Sequence, residues 1–336
     1  MRHLPVANAV ATIVDAVRLP LQMLRMLLLL PVLGAAAAVL ARQGAGHAGP
    51  SSVATEPPRR SRGRTPDISV VVPFYNPGVA LLPTVERLVS CLRESGTTFE
   101  VIAVSVGWTD GSERSIEGLA DEVTVVVQPH NRGKGAALQR GLSMATGAYV
   151  SFVDADGDID PAHLVDYLER AKRENQDVVY ASKRHRASTS ASSVARKVVS
   201  YGYIATVALL FGLGVQDTQT GCKLVRREVM DRVLPCMREQ GFAFDLEFFV
   251  VARAQGVRRM QAAPVELAER LAGSTVGLGA VARTLRDTLA VLGRLHLTSS
   301  YLPQPDPQPM ATVVPLGAHA RPAAAATPRS VDLKAA

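Results

Sequence analysis

The 336-residue chain is poor in aromatic residues, which make up 5% of it and include a single tryptophan. So sparse a set cannot build the stacking platforms that hold single-stranded nucleic acid. No Lys/Arg block is long enough to form a basic arm either, so no nucleic-acid partner is expected. Three cysteines, Cys91, Cys222 and Cys236, lack metal-ligand spacing and cannot all pair with one another. They read as small apolar side chains in a reducing compartment. Also missing is an uninterrupted apolar run of the ~20 residues that a membrane-spanning helix needs. The stretch from Met26 to Leu40 has no polar side chain but falls short, and only by reaching back to Leu19, through Gln22 and Arg25, does it gain the length.

What is present is a hydrophobic fraction of 47%, ample for a buried core, and a net charge of +7. That balance suits an anionic surface or an anionic substrate. Three readings of residues 19–40 stand side by side: a marginal membrane anchor with Arg25 snorkelling to the headgroups, a secretory signal peptide, or a surface-lying extension. Arg42, Arg59, Arg60, Arg62 and Arg64 follow the segment, and under the anchor reading this bias leaves the rest of the chain on the cytoplasmic side of a membrane. Residues 1–40 are thus an N-terminal segment, and 41–66 a flexible, basic linker rich in Gly, Ser, Pro and Arg. From 299 to 336 Pro and Ala dominate, which predicts a disordered tail.

Between these ends the periodicity alternates. Residues 68–72, Ile-Ser-Val-Val-Val, form a β-branched run halted by Pro73, as expected of a buried parallel strand. Leu81, Leu82, Val85, Leu88, Val89 and Leu92 recur at helical steps. Strand 99–106, a weaker helix 112–120, strand 123–127, helix 134–146 and strand 148–153 follow. This order predicts an α/β domain over 67–270 with a mostly parallel sheet covered by helices on both faces. Ligands of such sheets bind at the carboxyl ends of the strands.

The chemistry-bearing residues fall at those ends. The apolar run Tyr149-Val-Ser-Phe-Val delivers Asp154 and Asp156, one residue apart, where the strand leaves the sheet. Two such carboxylates suit one Mg²⁺ or Mn²⁺ whose remaining ligands are diphosphate oxygens. Asp160-Pro161 reads as the cap of a helix over 161–173. Asn131-Arg-Gly-Lys134-Gly-Ala-Ala opens the helix after strand 123–127. Its glycines allow close backbone approach, and Lys134 at a helix start suits a phosphate. Asp245 and Glu247 stand at the start of an apolar helix reaching Ala254.

In order, Pro73-Phe-Tyr75-Asn76, Thr109-Asp-Gly-Ser112, the Asn131–Ala137 run, Asp154-Ala-Asp156, Asp217-Thr-Gln-Thr-Gly-Cys-Lys-Leu224 and Phe242-Ala-Phe-Asp-Leu-Glu247 resemble the inverting family-two glycosyltransferases. The closest branch is that of the dolichyl- and polyprenyl-phosphate glucose and mannose synthases. This resemblance covers about residues 67–270. It implies a GT-A fold, a nucleotide-sugar donor (UDP-glucose before GDP-mannose), a polyprenyl phosphate acceptor and a membrane surface. Carried over position by position, it places Pro73, Tyr75, Asn76, Ser105, Lys134 and Asp154 at the nucleotide. Asp154 and Asp156 fall at the metal, Lys183, Arg184 and Arg196 at the acceptor phosphate, and Asp156, Asp245 and Glu247 at the reacting centre. Two positions depart from the family pattern: Ser105-Val106 stands where an acidic pair is usual, and Pro77 where a glutamate is usual. A sugar or other soluble acceptor, or a scaffold without catalysis, are the rival expectations. Residues 271–298 form a basic amphipathic helix with Val281, Leu285, Leu289 and Leu292 on one face, suited to lie on a bilayer or to pack on the domain.

Overall fold

The computed structural model describes residues 31–41, 65–107, 110–119, 121–188, 194–215, 217–267, 278–298 and 300–302. Seven strands form one sheet in the order β3-β2-β1-β4-β6-β5-β7. They are β1 (Ile68–Phe74), β2 (Phe99–Ser105), β3 (Val123–Val126), β4 (Tyr149–Val153), β5 (Val178–Ala181), β6 (Cys222–Arg226) and β7 (Met260–Ala263). Among the pairings, β1–β2, β1–β4, β2–β3 and β5–β7 are parallel, and β6 runs antiparallel between β4 and β5. The first half of the chain follows the expected alternation, with a 3-10 segment at Ser112–Leu119 in place of the weaker helix.

The helices are α1 (31–41), α2 (Leu81–Glu94), α3 (Lys134–Met144), α4 (Ala162–Arg173), α5 (Val194–Phe211), α6 (Arg227–Val233), α7 (Phe244–Ala254) and α8 (Leu278–Leu297). All seven β1 residues are buried, because helices cover both faces. One core lies under α2 and α4, with Val70, Val72, Leu88, Tyr167 and Leu224. The other, larger core joins α3, α5, α6, α7 and α8 around Val71, Phe152, Phe211, Phe248 and Leu292. Asp160 caps α4 much as expected: its Oδ1 accepts the Ala162 N–H at 2.9 Å, while its Oδ2 pairs with Arg87.

The structure corrects two expectations about the C-terminal region. Helix α8 does not bury the face of Leu285, Leu289 and Leu292 as a whole: Leu285 is exposed, whereas Ala290, Val291 and Leu292 are buried against the domain. Gly293 meets Leu40 and Ala36, so α1 packs on α8 where a side chain at 293 would intrude. The residues after α8 are not all tail, because Tyr301 is 1% exposed and its hydroxyl donates to Glu247 at 2.5 Å. Among the described residues, no helix is long and apolar enough to cross a membrane. Residues 19–30 of the expected anchor, most of the linker and the tail from 303 lie outside the described residues.

Candidate active site

The carboxyl ends of β1, β2 and β4 converge with the amino end of antiparallel β6 and the N-termini of α3 and α7. In the β4–β6 ladder Val153 lies opposite Cys222. That register sets Asp154 beside Gly221, whose carbonyl accepts the Asp154 N–H at 3.3 Å. A Cβ on Gly221 would intrude on the Asp154 carboxylate, so glycine is required here. The turn carrying Gly221 is folded around Asp217, which is buried. Its Oδ1 accepts the N–H groups of Gln219 and Thr220 at 3.0 and 3.2 Å, and its Oδ2 accepts the Thr220 hydroxyl at 2.6 Å. The same Oδ2 accepts the Lys183 N–H at 3.2 Å, joining the turn to the segment expected at the acceptor.

Lys134, the first residue of α3, reaches Asp154 Oδ1 at 2.5 Å and lies 3.8 Å from Asp245 Oδ2. Burial lowers its proton affinity, but Asp154, Asp245 and Asp156 outweigh that and hold the ammonium above its usual pKa. The glycines around it have a different cause from the one expected. Gly133, at φ 94°, faces the carbonyl of Gln240, and a Cβ on Gly135 would lie 2.6 Å from the carbonyl of Glu239. What the loop admits is the protein's own 239–241 backbone, fastened by the Ala136 N–H to Gln240 O and by Gln139 Nε2 to Glu239 O.

Asp156 stands at the mouth, exposed on one side. Its carboxyl is held above the ordinary value, by burial of its inner side first and by the charges of Asp154 and Asp158, against the Asp158 N–H and Lys134. A cleft of about 440 Å³ opens here, walled by Pro73, Tyr75, Lys134, Asp154, Asp156 and Phe242. Tyr75 is 53% and Phe242 60% exposed, so two aromatic rings flank the opening. Asn76 adopts φ 46°, and the loop it begins is pinned by the Gly78 N–H, which donates to Asp110 Oδ2 at 3.0 Å.

Among the described residues, no cluster of three His, Cys, Asp or Glu side chains could hold a metal by itself. Two carboxylates at one mouth are the donor set that suits a Mg²⁺ or Mn²⁺ completed by phosphate oxygens, and Asp154 and Asp156 would be its protein ligands. Lys134, the first residue of α3, brings its positive charge to the same cleft.

Pro73, Tyr75, Lys134, Asp154, Asp156 and Asp245 therefore come together. Others of the expected set do not. Glu247 is fully buried on the far side of α7, where it accepts the N–H groups of Arg238 and Glu239 at 2.7 Å and pairs with Arg294 at 3.1 Å. Its place is structural. Ser105 is buried, and its hydroxyl closes on the Gly107 carbonyl rather than facing a base. Val106 is a core side chain. Lys183 is exposed and Arg184 half-buried beyond Ser182, whereas Arg196 lies on the first turn of α5, where only the backbone is described. Lys223, absent from the expected set, is fully buried behind the site with Nζ 2.5 Å from Asp245 Oδ1.

Several known proteins are similar to this chain in sequence or in fold. The dolichyl-phosphate beta-glucosyltransferase of Dictyostelium discoideum is 27% identical over 202 residues, which are 55% of this chain and 62% of that protein. The Saccharomyces cerevisiae protein of the same name is 26% identical, over 70% of this chain and 76% of its own. The human one is 30% identical, over 56% and 64%. The chain thus spans less than two thirds of the Dictyostelium and human relatives. The fold is that of glucosyl-3-phosphoglycerate synthase from Mycobacterium tuberculosis, crystallised with Mn²⁺, UDP and glucosyl-3-phosphoglycerate, at a TM-score of 0.52 and 21% identity over 72% of this chain and 82% of that one. The sequence model of the family described as Glycosyl transferase family 2 matches residues 69–234, so that stretch is a glycosyl transferase family 2 domain.

Proposed function

We propose that this protein transfers glucose from UDP-glucose to a polyprenyl phosphate of the dolichyl type, with inversion at the anomeric carbon. The observation that carries this reading is the cleft in which Asp154, Asp156 and Lys134 meet. The names of the relatives supply the acceptor class.

In this reading Lys134 holds the diphosphate, and Asp154 and Asp156 would hold a divalent cation beside it. When bound, that cation supplies Lewis-acid neutralisation of the departing diphosphate. An acceptor phosphate oxygen attacks the anomeric carbon, the bond from that carbon to the β-phosphate oxygen breaks, and the electron pair leaves with UDP. A phosphate monoester is already largely anionic near neutral pH, since its second pKa lies near 6. No proton has to be removed from it, and positioning and charge screening are what the protein contributes. Lys183, Arg184 and Arg196 are the cations assigned to the acceptor, because paired N–H groups match phosphate oxygens. The protein works at the cytoplasmic surface of a membrane, with the basic linker on anionic lipid.

The altered base contacts favour one rival, a scaffold that does not turn over: Ser105 is closed on Gly107, and Val106 is core. A calorimetric titration of the full chain in detergent with UDP and then GDP, with and without Mn²⁺, separates the two. The enzyme reading predicts Mn²⁺-dependent binding of UDP in the micromolar-to-millimolar range and weaker binding of GDP. Folded protein that binds neither nucleotide would put the scaffold in its place.

A further inference from the structure

Behind the site lies a charged pair that the transfer chemistry does not use directly. Lys223 is the only charged residue between Cys222 and Val225, and it sits opposite Phe152 in the β4–β6 ladder. Its stem runs between two rings, with Nζ 5.1 Å from the centroid of Phe152 and 5.7 Å from that of Phe249. At the end of this sleeve the ammonium donates to Asp245 Oδ1 at 2.5 Å and to the Thr220 carbonyl at 2.8 Å. Asp245 is itself buried, and its other oxygen lies 3.8 Å from Lys134 Nζ. One carboxylate is thus set between two ammonium groups, one wholly internal and one at the mouth of the cleft. The Thr220 carbonyl belongs to the turn that positions Gly221 beneath Asp154, so Lys223 touches both supports of the diphosphate end.

We propose that Lys223 is a positioning residue of the transfer reaction: it clamps and neutralises Asp245, which then serves as counter-ion to Lys134 instead of as a base toward the acceptor. Both Asp245 oxygens face ammonium groups, and one of these is anchored to backbone. A buried ammonium is costly to leave unpaired, and so is a buried carboxylate, so the pair holds its geometry. With Lys223 in place, Asp245 draws only weakly on Lys134, which stays at 2.5 Å from Asp154 where an incoming diphosphate meets it. Without Lys223, the full charge of Asp245 pulls Lys134 inward and adds repulsion toward the diphosphate. This inference rests on the donor site described above, and it assigns the partner that sets that site's charge.

The test is calorimetric titration of UDP with Mn²⁺, on the full chain in detergent, for the wild type, K223M, D245N and the K223M/D245N pair, with circular dichroism confirming the fold. K223M should bind UDP about tenfold more weakly, the equivalent of about 1.4 kcal/mol. D245N and the pair should agree within about threefold, because Lys223 then has no charge to balance. In turnover assays K223M should raise KM for UDP-glucose more than it lowers kcat. Unchanged UDP affinity in K223M would overturn the assignment, and so would a pair that binds more than about threefold more weakly than D245N. Should K223M fail to fold, the comparison of the pair with D245N decides alone. A wild type that binds no UDP sinks the donor reading and this inference with it, whereas an unchanged K223M sinks only this inference.

Discussion

Replacing Asp156 by asparagine should leave a folded protein whose glucosyl transfer is slower by at least about a thousandfold, or roughly 4 kcal/mol of transition-state stabilisation. The side chain stands on an exposed turn, where its Oδ1 accepts the Asp158 N–H at 3.1 Å. Asparagine keeps an oxygen able to accept that bond, so the turn retains it. What disappears is one of the two carboxylates available to a cation and its share of the negative field at the mouth. Lys134 already engages Asp154 at 2.5 Å, which leaves Asp156 as the carboxylate best placed to recruit a divalent ion. The check is initial-rate transfer measured across a Mn²⁺ series beside a melting curve. An Asp156→Asn protein with full, Mn²⁺-dependent activity would remove this residue from the metal site.

Arg294→Met should be the most destabilising of the changes considered. Arg294 reaches from α8 to two buried carboxylates, Glu239 at 2.6 Å and Glu247 at 3.1 Å. Removing one partner of a buried ionic cluster costs about 3–5 kcal/mol, since the other charges remain without water. For a domain of this size that is a fall of roughly 6–20 °C in Tm at pH 8. The loss should shrink on acidification. In the wild type, burial raises the Glu239 carboxyl from 4.5 to about 7, Arg294 opposes that shift, and Glu247 adds to it. The folded state therefore keeps this proton up to about pH 7 while the unfolded chain releases it near 4.5. Stability from the group is complete below 4.5 and is lost as pH rises to about 7, by roughly 3 kcal/mol in all. Without Arg294 the Glu239 carboxyl loses the cation that opposes its rise and holds its proton more tightly, so acid relieves the mutant more than the wild type. Melting curves at pH 5.5 and pH 8 test this, and an equal Tm deficit at both would count against the ionic account. The cluster also backs the site, because the Glu239 carbonyl is what Gly135 and Gln139 pack upon.

How much of this was legible in the sequence depends on the range of the forces involved. Strands β1, β2 and β4 could be read because parallel strands buried on both faces become runs of Val and Ile. Asp154 and Asp156 could be read because such a run ends on them. Strands β5, β6 and β7 were not read: each has four or five residues, and β6 mixes Lys223 and Arg226 into its apolar positions. Lys223 accordingly enters the sequence reading only within the Asp217–Leu224 motif and without a role, although a single lysine inside Cys-Lys-Leu-Val is a signal of a buried charge. Glu247 was misplaced by nearness to Asp245. Residues two apart on a helix point about 200° apart, so both could not face one cleft, and periodicity alone could have excluded one. The glycines at 133 and 135 were read correctly as sites of close approach but given the wrong neighbour, since the backbone that needs the room lies a hundred residues further on. The closure of Ser105 on Gly107 is a matter of side-chain geometry that composition does not reveal.

The most direct test of the whole account is to incubate the full chain with radiolabelled UDP-glucose, Mn²⁺ and vesicles containing polyprenyl phosphate, and to identify the labelled product. The account predicts a lipid-extractable, acid-labile β-glucosyl phosphate that forms only when the polyprenyl phosphate is present. Label that stays on UDP, or passes only to water-soluble acceptors while the lipid remains unmodified, would contradict it.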